Sequence, residues 1–362
     1  IELTGVLHIA CVSSVNGNSG VRSQMQAELS SAERMQLQWQ VEIWAPDFCD
    51  DDVTHSLPTW CTNFLLRRIS FWIRLRRKIS QHDTIVLRYM PLDFMSAFLT
   101  KQEKKKIVLC FHTLRKGYWN NSNLLSKLIG KLDYILTGSF LKNSGAVIGV
   151  TNQIIEELSK DFQLGTRKKI LYPNGVFYRD NSQKVGDERG GVIKIAFIAS
   201  KFYHWNGLEL LIKEIDSSNC AEGFEVHLIG ELSLAQTSLV RKFDKKIIVH
   251  GNMDAQGIKK FLAKIDVTLG AFSLSSVGLE NACTLKVRES LSTGTPVYSG
   301  HIDVAFEDAD YFYKCGGPNI CEIIKYARDM RLHSKQHIFN ESISRIDKER
   351  LLKHLTLEMQ DA

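Results

Sequence analysis

Short apolar runs recur along the chain, and each is followed by a turn and then by a stretch with helical spacing of its apolar positions. The first run covers residues 6–14. A turn, Asn16-Gly-Asn-Ser-Gly20, separates it from a helical pattern that continues to about residue 37. Further strands are predicted at 40–46, 84–89, 106–112, 146–151 and 168–173, with helical patterns at 62–80, 93–101, 121–136 and 152–160. This alternation predicts a parallel sheet covered by helices, because a strand followed by a crossover helix rejoins the sheet in the same direction. The polar stretch 179–191 interrupts the pattern. It restarts with strands at 192–199, 224–229, 247–250, 266–272 and 296–299, and with helices from 207 and at 233–243, 254–263 and 285–293. Two more helices are predicted at 318–331 and 347–360.

Two successive units of this kind place the chain in the α/β class, as two Rossmann-like, doubly wound domains facing a central cleft. The expected boundaries are 1–178, a linker at 179–191, 192–335, and a helical tail at 336–362 that can cross back to the first domain. A chain of 362 residues is long for one core, which agrees with this division. With 44% hydrophobic and 24% charged residues the composition is that of a soluble globular protein. No apolar run approaches the ~20 residues of a membrane span, and no signal-peptide pattern opens the sequence. The eight cysteines contain no CxxC pair, so they read as reduced thiols of a cytoplasmic protein, and no metal site is expected.

Charge is uneven. Residues 1–180 hold 23 Lys and Arg against 16 Asp and Glu, whereas the remainder is nearly balanced. The basic excess points to an anionic partner on the first half. Its densest part is 62–80, where Arg67, Arg68, Arg74, Arg76, Arg77 and Lys78 are interleaved with Phe64, Leu65, Phe71, Trp72, Ile73 and Leu75 and no acid is present. Such a helix suits an anionic membrane surface or a lipid-phosphate acceptor; it also fits a domain helix with one buried face and one solvated basic face.

Three places carry candidate chemistry. In the stretch 278–300, Thr284 is a plausible N-cap, Gly294 ends the helix, and Lys286 and Glu289 stand one turn apart on one face. A strand, a polar loop and a helix start make a ready anion site in an open α/β sheet. A cation beside a carboxylate would suit a diphosphate next to a ribose diol, although the same spacing also describes an exposed ion pair. His112 ends a strand run, where such sheets place ligand-binding groups. Gly17, Asn18, Ser19 and Gly20 form a turn that lets backbone approach a ligand, or simply a tight turn. Asp50-Asp-Asp52 reads as a surface loop.

Ser200-Lys-Phe-Tyr-His-Trp-Asn-Gly207, Pro173-Asn-Gly-Val176, the span from Asn281 to Glu289 and Gly294-Thr-Pro-Val297 together resemble the GT-B fold glycosyltransferases of family 4. That family carries Gly-Arg-Leu followed by Lys-Gly at the first place and a Glu-x7-Glu signature at the third. Here Lys201 stands for the arginine, Asn206 for the lysine and Asn281 for the first glutamate. Leu285-Lys-Val-Arg-Glu with Tyr203-His-Trp-Asn-Gly is similar to bacterial transferases that build O-antigen, capsule and related surface polysaccharides.

The resemblance implies a retaining, metal-independent transferase that uses a nucleotide-diphosphate sugar as substrate and no other cofactor. Its acceptor would be a saccharide or lipid-diphosphate-linked saccharide at the inner face of the cytoplasmic membrane. His112, Lys201, Lys286 and Glu289 would act at the reacting diphosphate and sugar. Gly17 to Gly20, Asn206, Asn281, Ala282, Cys283, Thr284, Leu285 and Arg288 would bind the donor. The alternatives are a nucleotide-sugar epimerase and a binding subunit that has lost transfer, since an amide at Asn281 cannot act as a base. Nucleic acid is not an expected partner.

Overall fold

In the computed structural model, described over residues 5–14, 19–47, 51–58, 60–61, 63–115, 124–178, 184–218 and 223–360, two parallel sheets account for the strands. The chain divides into two compact units, Ile1–Phe177 with Asp347–Ala362, and Tyr178–Ile346.

The first unit holds β1 (Val6–Cys11), β2 (Trp39–Ala45), β3 (Thr54–Ser56), β4 (Thr84–Arg88), β5 (Ile107–Phe111), β6 (Ala146–Gly149) and β7 (Lys168–Leu171), in the order β3-β2-β1-β4-β5-β6-β7. Leu7, Ile9, Ile85, Leu87, Leu109 and Ile148 are all but fully buried. Strands covered on both faces must be apolar throughout, which is why they read as continuous runs. The crossovers are α1 (Ser19–Arg34), α2 (Phe64–Gln81), α3 (Lys101–Lys105), α4 (Leu124–Leu141) and α5 (Asn152–Phe162). Asn63 caps α2 by accepting from Leu65 N at 2.8 Å, and Thr151 caps α5 by accepting from Ile154 N at 3.3 Å.

The helix expected at 93–101 is instead a 3-10 turn, Phe94–Phe98, followed by α3. Leu99 is extended, and a reciprocal capping box between Thr100 and Glu103 starts the second piece. β3 was not expected. Asp51, read as part of a surface loop, accepts from Val53 N, Thr54 N and Thr54 Oγ1, and pairs with Arg22 at 2.7 Å. Those bonds fix the turn that brings three residues alongside β2.

The second unit holds β8 (Ile193–Lys201), β9 (Phe224–Glu231), β10 (Ile247–Gly251), β11 (Val267–Leu269), β12 (Val297–Ser299) and β13 (Phe312–Lys314), in the order β10-β9-β8-β11-β12-β13. Strand order therefore reverses between β8 and β11, the point where open α/β sheets open a crevice at their carboxyl edge. Its helices are α6 (Leu208–Ser217), α7 (Leu234–Val240), α8 (Ala255–Leu262), α9 (Leu285–Leu291), α10 (Ile320–Arg331) and α11 (Lys335–Ile346).

Residues from 336 on read as tail in the sequence, yet α11 packs on α9. Ser342 Oγ donates to Leu291 O at 3.1 Å, and the buried Lys335 Nζ donates to Leu262 O at 2.6 Å and to Thr295 Oγ1 at 2.7 Å. Gly294, at φ +65°, lies so close to the Lys335 backbone that a Cβ would sit 1.9 Å from its carbonyl oxygen. The chain then returns to the first unit as α12 (Lys348–Gln360), which packs on α1 and β7. Leu352 and Leu355 are fully buried there, and Lys348 N donates to Val176 O at 2.9 Å. No disulfide forms among the described cysteines.

Candidate functional site

In the second unit, the loops that leave β8 and β11 are bonded to one another. Phe272 N donates to Asn206 O at 3.0 Å, and Ser273 N donates to Trp205 O at 3.1 Å. Gly207, at φ +78°, permits this approach, since a Cβ there would meet Phe272 Cβ at 2.8 Å. Beyond the second loop, residues 280–282 run beside Ile302: Ile302 N donates to Glu280 O and Ala282 N to Ile302 O, each at 2.9 Å, with Asn281 bridged to Ile302. This fixed segment delivers the chain to α9. Thr284 is the N-cap in extended conformation, but its side chain makes no capping bond, and the helix ends at Leu291 rather than at 293.

α9 turns Val287, Ser290 and Leu291 inward and leaves Lys286 and Glu289 half-buried, one turn apart. The two charges act on one another through space, and among the described residues no hydrogen bond reaches the Lys286 ammonium or the Glu289 carboxylate. Burial pushes the Lys286 ammonium down to about 8, against the upward pull of Glu289. Burial likewise raises the Glu289 carboxyl, and Lys286 draws it partly back. A half-desolvated lysine and carboxylate with no hydrogen-bonded partner among the described residues have the chemistry to accept an anion and hydroxyl donors.

Arg288 is different and corrects the expectation that it binds the donor. It is 1% exposed, forks onto the buried Asp303 carboxylate with one contact at 2.9 Å, bonds Cys283, and lies over the Phe306 ring. Its cation therefore ties α9 to the loop after β12. Asn206 is also largely committed: it is buried, and its amide oxygen accepts from Tyr203 N at 2.8 Å, closing the turn after β8. Lys201 ends β8 on the exposed carboxyl edge and pairs with Glu231, its neighbour at the end of β9, at 3.0 Å; that bond raises its pKa.

Two features escaped sequence reasoning. Tyr203 stacks on Trp205 with ring centres 4.4 Å apart, next to Lys201. His301, after β12, is 1% exposed, its Nδ1 lies 2.6 Å from Ser299 Oγ, and burial pushes the imidazole down to about 4. Its Nε2 is buried with no partner among the described residues. A Ser-Gly-His run at a strand end was the available signal.

No family model and no curated protein matches the sequence. Solved structures do match, over almost the whole chain. A glycosyltransferase from Rickettsia africae ESF-5 superposes with TM-score 0.68 at 14% identity, covering 99% of both chains. A sucrose-phosphate synthase from Thermosynechococcus elongatus gives 0.65 at 14% identity over 98% of both. Anabaena HepE, in complex with UDP and glucose, gives 0.63 at 10% identity over 99% of this chain and 100% of that one. The chain has the GT-B fold.

In the first unit of this GT-B chain, His112 follows β5 directly and is half-buried, with Nδ1 3.8 Å from Cys110 Sγ. Burial, with the nearby charge of Arg88, holds the imidazole well below its usual range, so it is neutral near pH 7. Gly17 and Asn18 lie outside the described residues; Ser19 and Gly20 are the first two residues of α1 rather than part of the preceding turn. Among the described residues no group of three or more His, Cys, Asp or Glu side chains is arranged to hold a metal ion.

The six basic residues of α2 do not form one surface. Arg68 is buried and donates to Pro91 O at 3.1 Å, which removes it from the expected membrane face. Lys78 pairs with Glu42 at 2.5 Å, and Arg74 folds back onto Ser70 and over the Trp44 ring. Arg76 and Arg77 are exposed and Arg67 is half-buried. Phe71, Trp72 and Leu75 supply its buried face. No helix is long and apolar enough to cross a membrane among the described residues.

Proposed function

We propose that the protein is a retaining glycosyltransferase that moves a sugar from a nucleotide-diphosphate donor to a saccharide or lipid-linked saccharide in surface-polysaccharide synthesis. The observation that carries this reading is the Lys286–Glu289 pair. Two half-buried, oppositely charged groups lie on the helix that follows β11, at the reversal of strand order, and among the described residues no hydrogen bond uses them. Glu289 would accept both hydroxyls of the donor ribose, and Lys286 would face the diphosphate. Lys201 would supply a second cation once it exchanges Glu231 for phosphate. The complex of HepE with UDP and glucose, on the same fold, supports a nucleotide-sugar ligand.

Little is then asked of a general base. The sugar–phosphate bond breaks with oxocarbenium character, and the departing diphosphate takes the acceptor proton on the face it leaves. The protein's part is to stabilise the leaving charge, and loss of one such donor typically costs on the order of 10²–10³ in rate. In this scheme the lysines replace a divalent cation, so transfer should survive excess EDTA. His112, neutral and at a strand end, would hydrogen-bond a sugar hydroxyl. We place the enzyme in the cytoplasm, at the inner face of the membrane where a lipid-linked acceptor is found.

Thermal-shift measurement with UDP-, GDP- and CMP-sugars tests the reading. A donor at ~100 Kd adds about 2.7 kcal/mol, a rise on the order of 5–10 °C. No rise with any donor, or an equal rise in Lys286→Met, contradicts it. Asn281, standing where the family carries a glutamate, favours a second reading in which donor binds without transfer; donor-induced stabilisation with no product across an acceptor panel selects it.

A further inference from the structure

α4 is packed inside out. Its buried positions include Ser126, Asp133 and Thr137, while Leu124, Leu125, Leu128, Leu132 and Ile135 are exposed, Leu124 by 74% and Ile135 by 64%. At 100° per residue these five fall on one stripe, roughly opposite the buried face. α5 of the same unit shows the ordinary arrangement, with Ile154 and Leu158 inside and polar residues outside. The last turn of α4 buries Phe140 and Leu141, with Phe140 against Trp72, but what holds its first three turns to the unit is polar. Asp133, fully buried, accepts from Tyr89 OH at 2.8 Å, Leu92 N at 2.8 Å and Arg115 Nη1 at 3.3 Å. Neighbouring elements also expose apolar side chains. Phe98, 69% exposed, belongs to the 3-10 turn that packs against both α4 and α2, and α2 exposes Phe64, Leu65, Leu66 and Ile73.

Charge decides what covers this face. The exposed charges of α4 are Lys127 and Lys131; its one acid, Asp133, is the buried anchor. α2 has no acid, and it adds the exposed Arg76 and Arg77, of which Arg76 meets Glu103 at 3.3 Å. A second copy docked on this face would set lysine and arginine against lysine and arginine. A continuous apolar stripe flanked by cations matches the boundary of an anionic bilayer, where acyl chains receive the leucines and headgroups the ammonium ions.

We infer that α4 is an interfacial anchor that lays its Leu124–Ile135 stripe into an anionic phospholipid surface, with the exposed part of α2 beside it. This deepens the proposed function by giving a lipid-linked acceptor its docking surface. It replaces the basic residues of α2 with the leucines of α4 as the principal contact.

The full chain is sedimented with vesicles of equimolar phosphatidylglycerol and phosphatidylethanolamine, and with phosphatidylcholine vesicles for comparison. Wild type should pellet with the anionic vesicles. Leu128→Gln/Leu132→Gln/Ile135→Gln should lose about tenfold or more of that partition at low and high salt, and Lys127→Gln/Lys131→Gln should lose it mainly at low salt. These side chains are exposed, so the melting temperature should not fall, and stabilisation by nucleotide sugar should persist. The anchor and the donor site thus fail separately. As a second readout, Leu128→Trp should be quenched by phosphatidylglycerol brominated in its acyl chains. Equal pelleting of the triple variant, or no quenching, overturns the inference. So does a wild-type dimer that the triple variant dissolves while neither binds vesicles, which would assign the stripe to a second copy.

Discussion

Glu28 on α1 and Glu289 on α9 are both carboxylates set into helices that cover a sheet, and the protein treats them in opposite ways. Glu28 is 1% exposed, and it faces His8 Nδ1 at 2.6 Å, Trp39 Nε1 at 2.8 Å, Tyr172 OH at 2.8 Å and Lys348 Nζ at 3.6 Å. Burial alone would raise its pKa, but His8, Lys348 and Tyr172 overcome that and hold it at about 2. Glu289 is half-buried, and burial keeps its pKa raised although Lys286 draws it partly back. An ionised carboxylate offers about four acceptor sites. In Glu28 they are filled by four elements of the first unit, including α12, and the group is structural. In Glu289 they are open, and hydroxyls from a ligand would fill them. The same contrast separates neighbours on α9, where Arg288 is bound to Asp303 and Lys286 is not.

The contrast breaks first under mutation of the satisfied groups. Glu28→Gln strands Lys348 and His8 in the first unit, and Arg288→Met strands Asp303 in the second. Each should cost about 3–5 kcal/mol in denaturant unfolding, while Lys286→Met should cost nothing measurable or stabilise slightly. Near-equal losses for all three would remove the distinction. The next effect is on binding: Lys286→Met should weaken donor affinity roughly 10–100-fold by calorimetry, from loss of a charge-assisted contact.

Titration sharpens the contrast further. If protonated Lys286 faces the diphosphate as proposed, donor affinity should fall as pH rises above about 8, to which burial lowers the ammonium, by up to about tenfold per unit. Lys286→Arg should flatten that limb. The folded pKa of Glu28 is depressed from 4.5 to about 2, so its contribution is complete above pH 4.5 and fades as pH falls toward 2. The acid limb of unfolding should be shallower in Glu28→Gln. The smallest effect is expected from Arg76→Gln/Arg77→Gln, which should change stability by no more than about 0.5 kcal/mol.

Most strands of both sheets were legible because they read as apolar runs, and α9 because Thr284 and Gly294 mark its ends; β13, three residues of which Tyr313 and Lys314 are exposed, was not. Nor was β3, being three residues held by Asp51 rather than by an apolar run. Nor was α11, whose burial against α9 depends on the contact at Gly294. Lys286 and Glu289 could be read as a pair from spacing. What spacing could not give was the removal of Arg288 by an acid 15 residues away, or of Arg68 by the Pro91 carbonyl. For α4, spacing predicted a helix at 121–136 but not the side its leucines face. The partners of Asp133, Tyr89 and Leu92, lie more than 40 residues away, and they turn the helix outward.

The central claim is that Glu289 is open for a ligand, and UDP binding to wild type and Glu289→Gln tests it most directly. An amide keeps the shape but loses the charge and half the acceptor capacity. Glu289→Gln should show an unchanged or slightly higher melting temperature without ligand, and UDP affinity lower by roughly 10–100-fold. Wild-type affinity in Glu289→Gln, or a protein that unfolds as Glu28→Gln does, would contradict it.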